Sequence, residues 1–361
     1  MKKLILHDWH QKAGARFFPF GNWLLPKNYR SVADELRLAR EVVALHDASY
    51  NGHLFLKGAV VTDFLQRIST NDLSQLEASG YLPTLFCNTH GRLIDYVHLI
   101  HFSEGKLAIS CHPEATLLKE WIARFILMEE VEINEPGDDF ILLMICGPAV
   151  QRVLRAFCGQ ELQADEEFLI LEQGDPFVAV IRNKFSKWPA FDLLFCGNNK
   201  IGRIEQLLQI VKDFGGDWFG KLASEVLRIE SGIPAGKTEI NEQFNPHEAR
   251  LLHAVSFTKG SYTGQEVIAC LDTYDKVQKY LMVVELHEAV KELLPAEVYL
   301  EEQPIGYLTS YAFDAHLKKH VGLAYIKKNY AIEDFNLMVH CGIAKTPATL
   351  HLPPWVNDWS V

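Results

Sequence analysis

The 361-residue chain lacks several of the features that place a protein in a class at first reading. No apolar run approaches the roughly 18 residues that a membrane helix needs. The longest, Phe140 to Cys146, has the length of a strand. Met1-Lys2-Lys3 before Leu4-Ile5-Leu6 begins like a secretion signal, but His7 and Asp8 cut it short, so a cytoplasmic protein without a membrane segment is expected. Basic residues are in deficit, with 35 Lys and Arg against 46 Asp and Glu and a net charge of -11. That balance opposes a binder that tracks a nucleic-acid duplex by displacing counterions, and no direct nucleic-acid contact is expected. It leaves room for a local cationic pocket. The seven cysteines (Cys87, Cys111, Cys146, Cys158, Cys196, Cys270 and Cys341) are an odd number, widely spaced, and form no CxxC pair. A disulfide framework and a zinc ribbon are both poor readings of that pattern. No Walker loop, GxGxxG, HExxH or GxSxG motif occurs, and no repeat unit recurs. His316 and His320 are four apart but lie among Asp314, Lys318 and Lys319, as exposed turn residues do, so no metal site is expected.

What is present is an ordinary globular composition, 48% apolar and 22% charged, enough to build two or three cores. Ser31 caps a predicted helix that runs to about Ala44, with Val32, Leu36, Ala39 and Val43 on one face. A strand near His53–Leu56, a helix near Ala59–Ile68, a strand over Leu93–Phe102 and a helix over Glu114–Met128 follow. His98 and His101 are three apart, so in a strand they point to opposite faces. Phe140–Cys146, a helix opened by Gly147-Pro148 and closed at Gly159, strands over Phe177–Phe185 and Phe191–Cys196, and a helix over Lys200–Phe214 read as a split βαβ layer. A helix over Lys221–Glu230 leads to Ser231-Gly232-Ile233-Pro234. Beyond Lys276, five short β runs with little helix imply a small barrel or jelly roll. The predicted division is residues 1–275, with a second α+β part at roughly 135–215, followed by a β-barrel over 276–361.

The segment richest in chemistry is Lys259-Gly260-Ser261-Tyr262-Thr263-Gly264-Gln265-Glu266. Two glycines permit a tight turn, Thr263 and Glu266 have the spacing of a capping box, and the helix start offers amide donors to an anion. An ordinary turn with a good cap fits the same residues.

This loop, with Arg228-Ile229-Glu230-Ser231-Gly232-Ile233-Pro234 and Phe244-Asn245-Pro246-His247-Glu248, resembles the YgfZ family, whose signature is KGCYxGQE. The N-terminal part resembles the related glycine-cleavage T-protein, a tetrahydrofolate-dependent aminomethyltransferase. There the matching stretches are Gly14-Ala15-Arg16-Phe17, Phe20-Gly21-Asn22-Trp23-Leu24-Leu25-Pro26, His46-Asp47-Ala48-Ser49, Thr70-Asn71-Asp72-Leu73 and Asn88-Thr89-His90-Gly91-Arg92-Leu93-Ile94-Asp95. The resemblance implies an α+β, ring-like folate-binding fold of two interleaved parts with a C-terminal β-barrel.

The resemblance also implies functional residues. Asp95 matches the aspartate assigned the catalytic role at the folate nitrogens, and a carboxylate there exchanges a proton with an amine. Asp192 stands in place of a pterin-binding glutamate and would accept two N–H donors; a strand residue facing outward is the alternative. Arg228 matches an arginine beside the folate, and pairs either with a ligand carboxylate or with Glu225 or Glu230. Tyr29 matches a tyrosine near the ligand, or is a packing aromatic. Departures are equally plain. Ser261 replaces the signature cysteine, Tyr96 replaces a second aspartate, and Cys270 and Tyr274-Asp275 stand where the family has cations. A serine hydroxyl does not become a nucleophile or redox centre unaided as a thiolate does. The resemblance implies a YgfZ-type protein that binds tetrahydrofolate and supports iron–sulfur enzymes, including those that modify tRNA, with an iron–sulfur protein as partner. An aminomethyltransferase, or a non-catalytic binding protein on the same fold, is the alternative.

Overall fold

In a computed structural model, the chain is described over residues 1–359 except 160–161, 164–165, 173–174, 291–293 and 342–343. Two antiparallel-rich sheets and a barrel carry the architecture. The first sheet orders its strands Tyr81–Cys87, Leu93–Phe102, Gly105–Ser110, His53–Lys57, Glu132–Asn134, all antiparallel. Helices Val61–Ile68 and Thr116–Ala123 cover one face of it, burying Phe64, Leu65, Leu118 and Trp121 against Val97 and Leu99. The second sheet orders Phe168–Glu172, Phe177–Arg182, Ala190–Cys196, Phe140–Cys146, Ala44–Asp47, Asp217–Trp218. Its outer face packs on helices Val150–Cys158 and Lys200–Asp213 through Phe191, Leu193, Phe195, Val153 and Leu207.

The inner faces of the two sheets meet. Tyr81, Ile100, Leu107 and Ile109 of the first pack against Leu142, Phe177, Ile181 and Leu194 of the second. Period-2 alternation dictates this layering, because a strand buried on both faces must be apolar at odd and even positions alike. The polar residues that break this pattern on the inner faces are therefore informative.

The C-terminal strands close into a six-stranded barrel in the order Lys279–Leu286, Lys319–Lys327, Gln303–Asp314, Ala296–Leu300, Asn336–Cys341, Ala344–His351. Sequence reading anticipated five of these and missed Ala344–His351, whose Pro347 and polar residues mask the alternation. It also missed the N-terminal sheet of Lys2–Lys3, Trp23–Asn28 and Arg16–Phe20.

Several local expectations need correction. The first long helix is Val32–Glu41, capped by Ser31 accepting from the Asp34 amide, and the chain then turns into strand Ala44–Asp47. The helix expected over Glu114–Met128 spans only Thr116–Ala123. Pro148 lies one residue ahead of the cap Ala149 and outside its helix. The capping box at Thr263–Glu266 does not form. Gly264, at φ 84°, is the cap of helix Gln265–Thr273, and no side chain serves it. On that helix Ile268 is the buried residue, whereas Val267 is exposed.

Candidate functional site

Between the two inner sheet faces, and closed by helix Lys221–Glu230, lies a cavity of about 420 Å³. That volume suits a ligand of cofactor size. Its walls follow from the alternation. On strand Leu93–Phe102, Tyr96 and His98 share a face with Ile100 and line the cavity. Asp95, Val97 and Leu99 take the opposite face, toward the helices. On strand Ala190–Cys196, Asp192 shares a face with Leu194, and it stands opposite Met144 and Ile181 in the neighbouring strands.

Asp192 thus points between the sheets, not outward. No hydrogen bond to its carboxylate exists among the described residues, and burial alone pushes its pKa up to about 7. The carboxylate is partly exposed on the cavity wall, so its donors are left to come from what fills the cavity. His46 also lines the cavity as a neutral imidazole. It is 4% exposed, its Nδ1 lies 3.2 Å from the Phe219 carbonyl, and burial lowers its pKa to about 4. Nε2 of His46 has no hydrogen-bond partner.

Arg228 borders the cavity, but its donors are committed. Nε lies 2.9 Å from Glu225, Nη1 donates to the Ile233 carbonyl at 2.6 Å and to Glu239 at 3.2 Å, and Nη2 donates to Ser310 at 2.8 Å and to Glu225. The pairing is with Glu225, not Glu230, which instead binds Arg40. Desolvation opposes the charge on Arg228, but Glu225 and Glu239 outweigh it and raise the pKa, while the pKa of Glu225 is correspondingly depressed. Lys221 adds a second cation to the rim, 3.1 Å from Glu225 and above the rings of Phe20 and Tyr50.

Asp95 is fully buried and does not line the cavity; it sits one layer behind it. Its carboxylate accepts from the Ser110 hydroxyl at 2.5 Å and the Cys111 thiol at 3.2 Å, and both of those residues do line the cavity. Burial raises the Asp95 pKa, and burial followed by the Asp95 charge raises that of Cys111. His112 completes the group, its Nε2 4.0 Å from Asp95. Asp95 comes from strand Leu93–Phe102, and Cys111 and His112 directly follow the adjacent strand Gly105–Ser110.

Tyr29 lies outside the cavity. Its hydroxyl lies 2.8 Å from His10 Nδ1, and its ring stacks on Trp218, so it is the packing aromatic. The signature loop lies outside as well. Lys259 donates to the carbonyls of Gln66, Ser69 and Asn71 at 2.6–2.8 Å, so its ammonium serves the fold and offers no seat for an anion. Tyr262 is buried, whereas Gly260, Ser261 and Glu266 are exposed and Gln265 is partly so. Gly264 meets the turn at Asn88–Gly91, where a Cβ would lie 2.6 Å from the Asn88 carbonyl oxygen. Sequence reasoning missed Tyr96, His98, Cys111 and Lys221 as cavity residues. The period-2 rule applied from His98 back to Tyr96 would have found the first two.

Comparison with known proteins supplies the family. Residues 6–259 match the GCVT N-terminal domain, and residues 280–357 match the glycine cleavage T-protein C-terminal barrel domain. The chain belongs to the glycine-cleavage T-protein family. An aminomethyltransferase of Caldanaerobacter subterraneus subsp. tengcongensis is 29% identical over 339 residues, covering 92% of this chain and 89% of that one. One of Halalkalibacterium halodurans is 26% identical over 362 residues, covering 97% of each. The crystal structure of glycine cleavage system aminomethyltransferase T from Bartonella henselae superposes with a TM-score of 0.79 over 98% of each chain at 22% identity, a likeness of fold. These findings support the T-protein side of the expected resemblance and give none to the YgfZ assignment. Among the described residues, no helix is long and apolar enough to cross a membrane.

Proposed function

We propose that this chain is a tetrahydrofolate-dependent aminomethyltransferase. The observation that carries the reading is Asp192, a carboxylate without a donor on the wall of a cavity of cofactor size, in a chain whose relatives across nearly its whole length are aminomethyltransferases. An unpaired carboxylate fits a ligand edge that presents two adjacent N–H groups, as a pterin does. When bound, the reduced folate supplies the nitrogens that take up the one-carbon unit. Ionised Asp192 holds and orients the ring, and Tyr96 and His98 bound it on the facing sheet. Arg228, fixed by Glu225 and Glu239, positions the closing helix and supplies positive potential at the mouth. Asp95 accepts the hydrogen bond of the Cys111 thiol and fixes that side chain at the cavity wall, so it acts through Cys111 and is a positioning residue.

Anaerobic calorimetry with tetrahydrofolate tests the reading. Saturable one-to-one binding is expected, weakened at least tenfold by Asp192→Asn. An absence of binding at millimolar ligand would overturn it. Turnover with an aminomethyl donor and tetrahydrofolate separates transferase from non-catalytic binder. Asp95→Asn is expected to abolish turnover, and normal rates in that variant would remove Asp95 from the mechanism.

The second reading is a YgfZ-type role supporting iron–sulfur enzymes. It is favoured by the loop Lys259–Glu266, whose exposed Ser261 faces solvent where a protein partner can reach it. Rescue of a YgfZ-deficient cell by the native chain would establish that reading, and rescue only by Ser261→Cys would show that the family function departed with the thiol.

A further inference from the structure

We propose that His46 selects the reduced ring of a folate over the oxidised one, with its Nε2 as a fixed hydrogen-bond acceptor in the wall of the cavity. The inference rests on the tetrahydrofolate binding proposed above and adds to it the residue that reads the oxidation state of the ring. Strand register places this residue. His46 stands opposite Met144 in the neighbouring strand, and Met144 stands opposite Asp192 in the next. Residues directly opposite one another share a face, so His46, Met144 and Asp192 form one row across the inner face of the sheet. All three line the cavity. Two strand spacings set the ends of the row about 10 Å apart at the backbone. A fused two-ring heterocycle with a hydrogen bond at each end fills such a span. With its pyrimidine edge on Asp192, the second, reducible ring lies toward His46.

The polarity of the imidazole is fixed by its other nitrogen. Nδ1 lies 3.2 Å from the Phe219 carbonyl oxygen, which only accepts, so Nδ1 carries the proton. Burial first, and the charge of Lys221 second, hold the ring neutral. Nε2 is therefore a bare lone pair, buried and without a hydrogen-bond partner, a state that a donor on a bound ligand relieves. The ring packs against Phe219 and Tyr50, with centroids 5.2 and 5.9 Å away, which holds its orientation. The two oxidation states of a pterin meet this acceptor differently. A tetrahydropterin carries N–H at both N5 and N8, whereas the fully oxidised ring has bare nitrogens at those positions. The first meets Nε2 as donor to acceptor, and the second as lone pair to lone pair. A site that keeps a buried polar atom unpaired with the wrong ligand discriminates strongly against it.

Anaerobic calorimetry with tetrahydrofolate and with folic acid, on the parent chain and on His46→Phe, tests the inference. The parent is expected to prefer tetrahydrofolate at least tenfold, and His46→Phe to lose most of that preference. Equal affinity of the parent for the two folates, or an unchanged preference in His46→Phe, would overturn the role of His46 and leave folate binding standing. A parent that binds neither would overturn folate binding itself, and this inference with it. The parent chain also gives a test that no folding defect in a variant can blur. In 5-deazatetrahydrofolate and 8-deazatetrahydrofolate one ring N–H is replaced by CH₂. One of the two is expected to bind at least tenfold more weakly than tetrahydrofolate, and in a folded His46→Phe that difference should vanish. Equal affinity of the parent for all three reduced ligands would overturn the proposal.

Discussion

Asp192 is the residue whose ionisation reports most directly on the site. Its folded pKa of about 7 lies above the roughly 3.9 of an unfolded aspartate. The native state therefore holds a proton that the unfolded state gives up, and stability falls as pH rises from about 4 to about 7 and stays lower above that. Asp192→Asn removes this cost. It is expected to raise the stability of the ligand-free protein by about 1–2 kcal/mol at pH 8 and to have no such effect near pH 4, read by urea denaturation at the two pH values. Binding runs in the opposite sense, because only the ionised form accepts two N–H donors. Affinity for tetrahydrofolate should rise about tenfold between pH 6 and pH 8 as the ionised fraction grows, and Asp192→Asn should flatten that profile. A flat profile in the parent chain would show that Asp192 does not meet the ligand. At this scale the apolar neighbours Phe191 and Leu193 suggested an outward-facing Asp192, the family resemblance a ligand-facing one, and the structure puts it on the cavity wall. Asp95 was legible as a residue but not in its direction. Its neighbour Tyr96 takes the cavity face, and the distance between the two is half a strand period.

At the scale of elements, two predictions test how local geometry supports the site. Gly264 combines a φ of 84° with backbone of the Asn88–Gly91 turn where a side chain would stand. Gly264→Ala adds both backbone strain and a clash, and should cost about 2–3 kcal/mol, seen as a lower denaturation midpoint. A midpoint within about 0.5 kcal/mol of the parent's would mean that the two turns separate freely. On helix Lys221–Glu230, Arg228→Ala leaves buried Glu239 and half-buried Glu225 without their shared cation. Breaking such a pair costs about 3–5 kcal/mol, and the lower end applies because Lys221 still serves Glu225. Arg228→Lys cannot reach both carboxylates and Ser310 together, so it should recover only part of that stability in the same melts. Helices and strands with a clean 3.6- or 2-residue period were readable from sequence: Val61–Ile68, Leu93–Phe102, Lys200–Asp213 and Lys221–Glu230 all lie close to where the pattern puts them. The failures cluster where side-chain period carries no signal. Ala44–Asp47 is a four-residue strand directly after a helix, and the helix at Gln265 begins on a glycine rather than on the capping residue beside it.

At the scale of the whole molecule, the α+β body and the barrel are joined by a buried charge cluster that no sequence pattern announces. Arg40, on helix Val32–Glu41, bonds Glu230 at the end of the cavity helix, and lies 2.7 Å from Asp314 at the end of a barrel strand. Arg40 stands 190 and 274 residues from its two partners, so only the fold brings the three together. Removing the arginine strands two carboxylates. Lys319, 3.2 Å from Glu230, and the amides of His316 and Leu317 on Asp314 compensate in part. Arg40→Ala should therefore cost about 3 kcal/mol, at the lower end for a broken buried pair. The loss should fall on the junction, so unfolding should split into two transitions with the barrel separating from the body. The Arg40 guanidinium lies 5.1 Å from the Trp188 ring, so the part of the tryptophan fluorescence that Trp188→Phe removes sees the junction, while far-ultraviolet dichroism sees both parts. Despite its burial, Asp314 is held below its usual pKa by the hydrogen bond from Arg40, so this contribution is present above about pH 4 and disappears as pH falls through the depressed value. In the parent chain the fluorescence transition should accordingly move to lower denaturant on acidification below pH 4, and in Arg40→Ala that shift should shrink. Coincident transitions in the variant, at the parent's midpoint, would show that the barrel is held by apolar packing alone and that the charge cluster only sets its orientation.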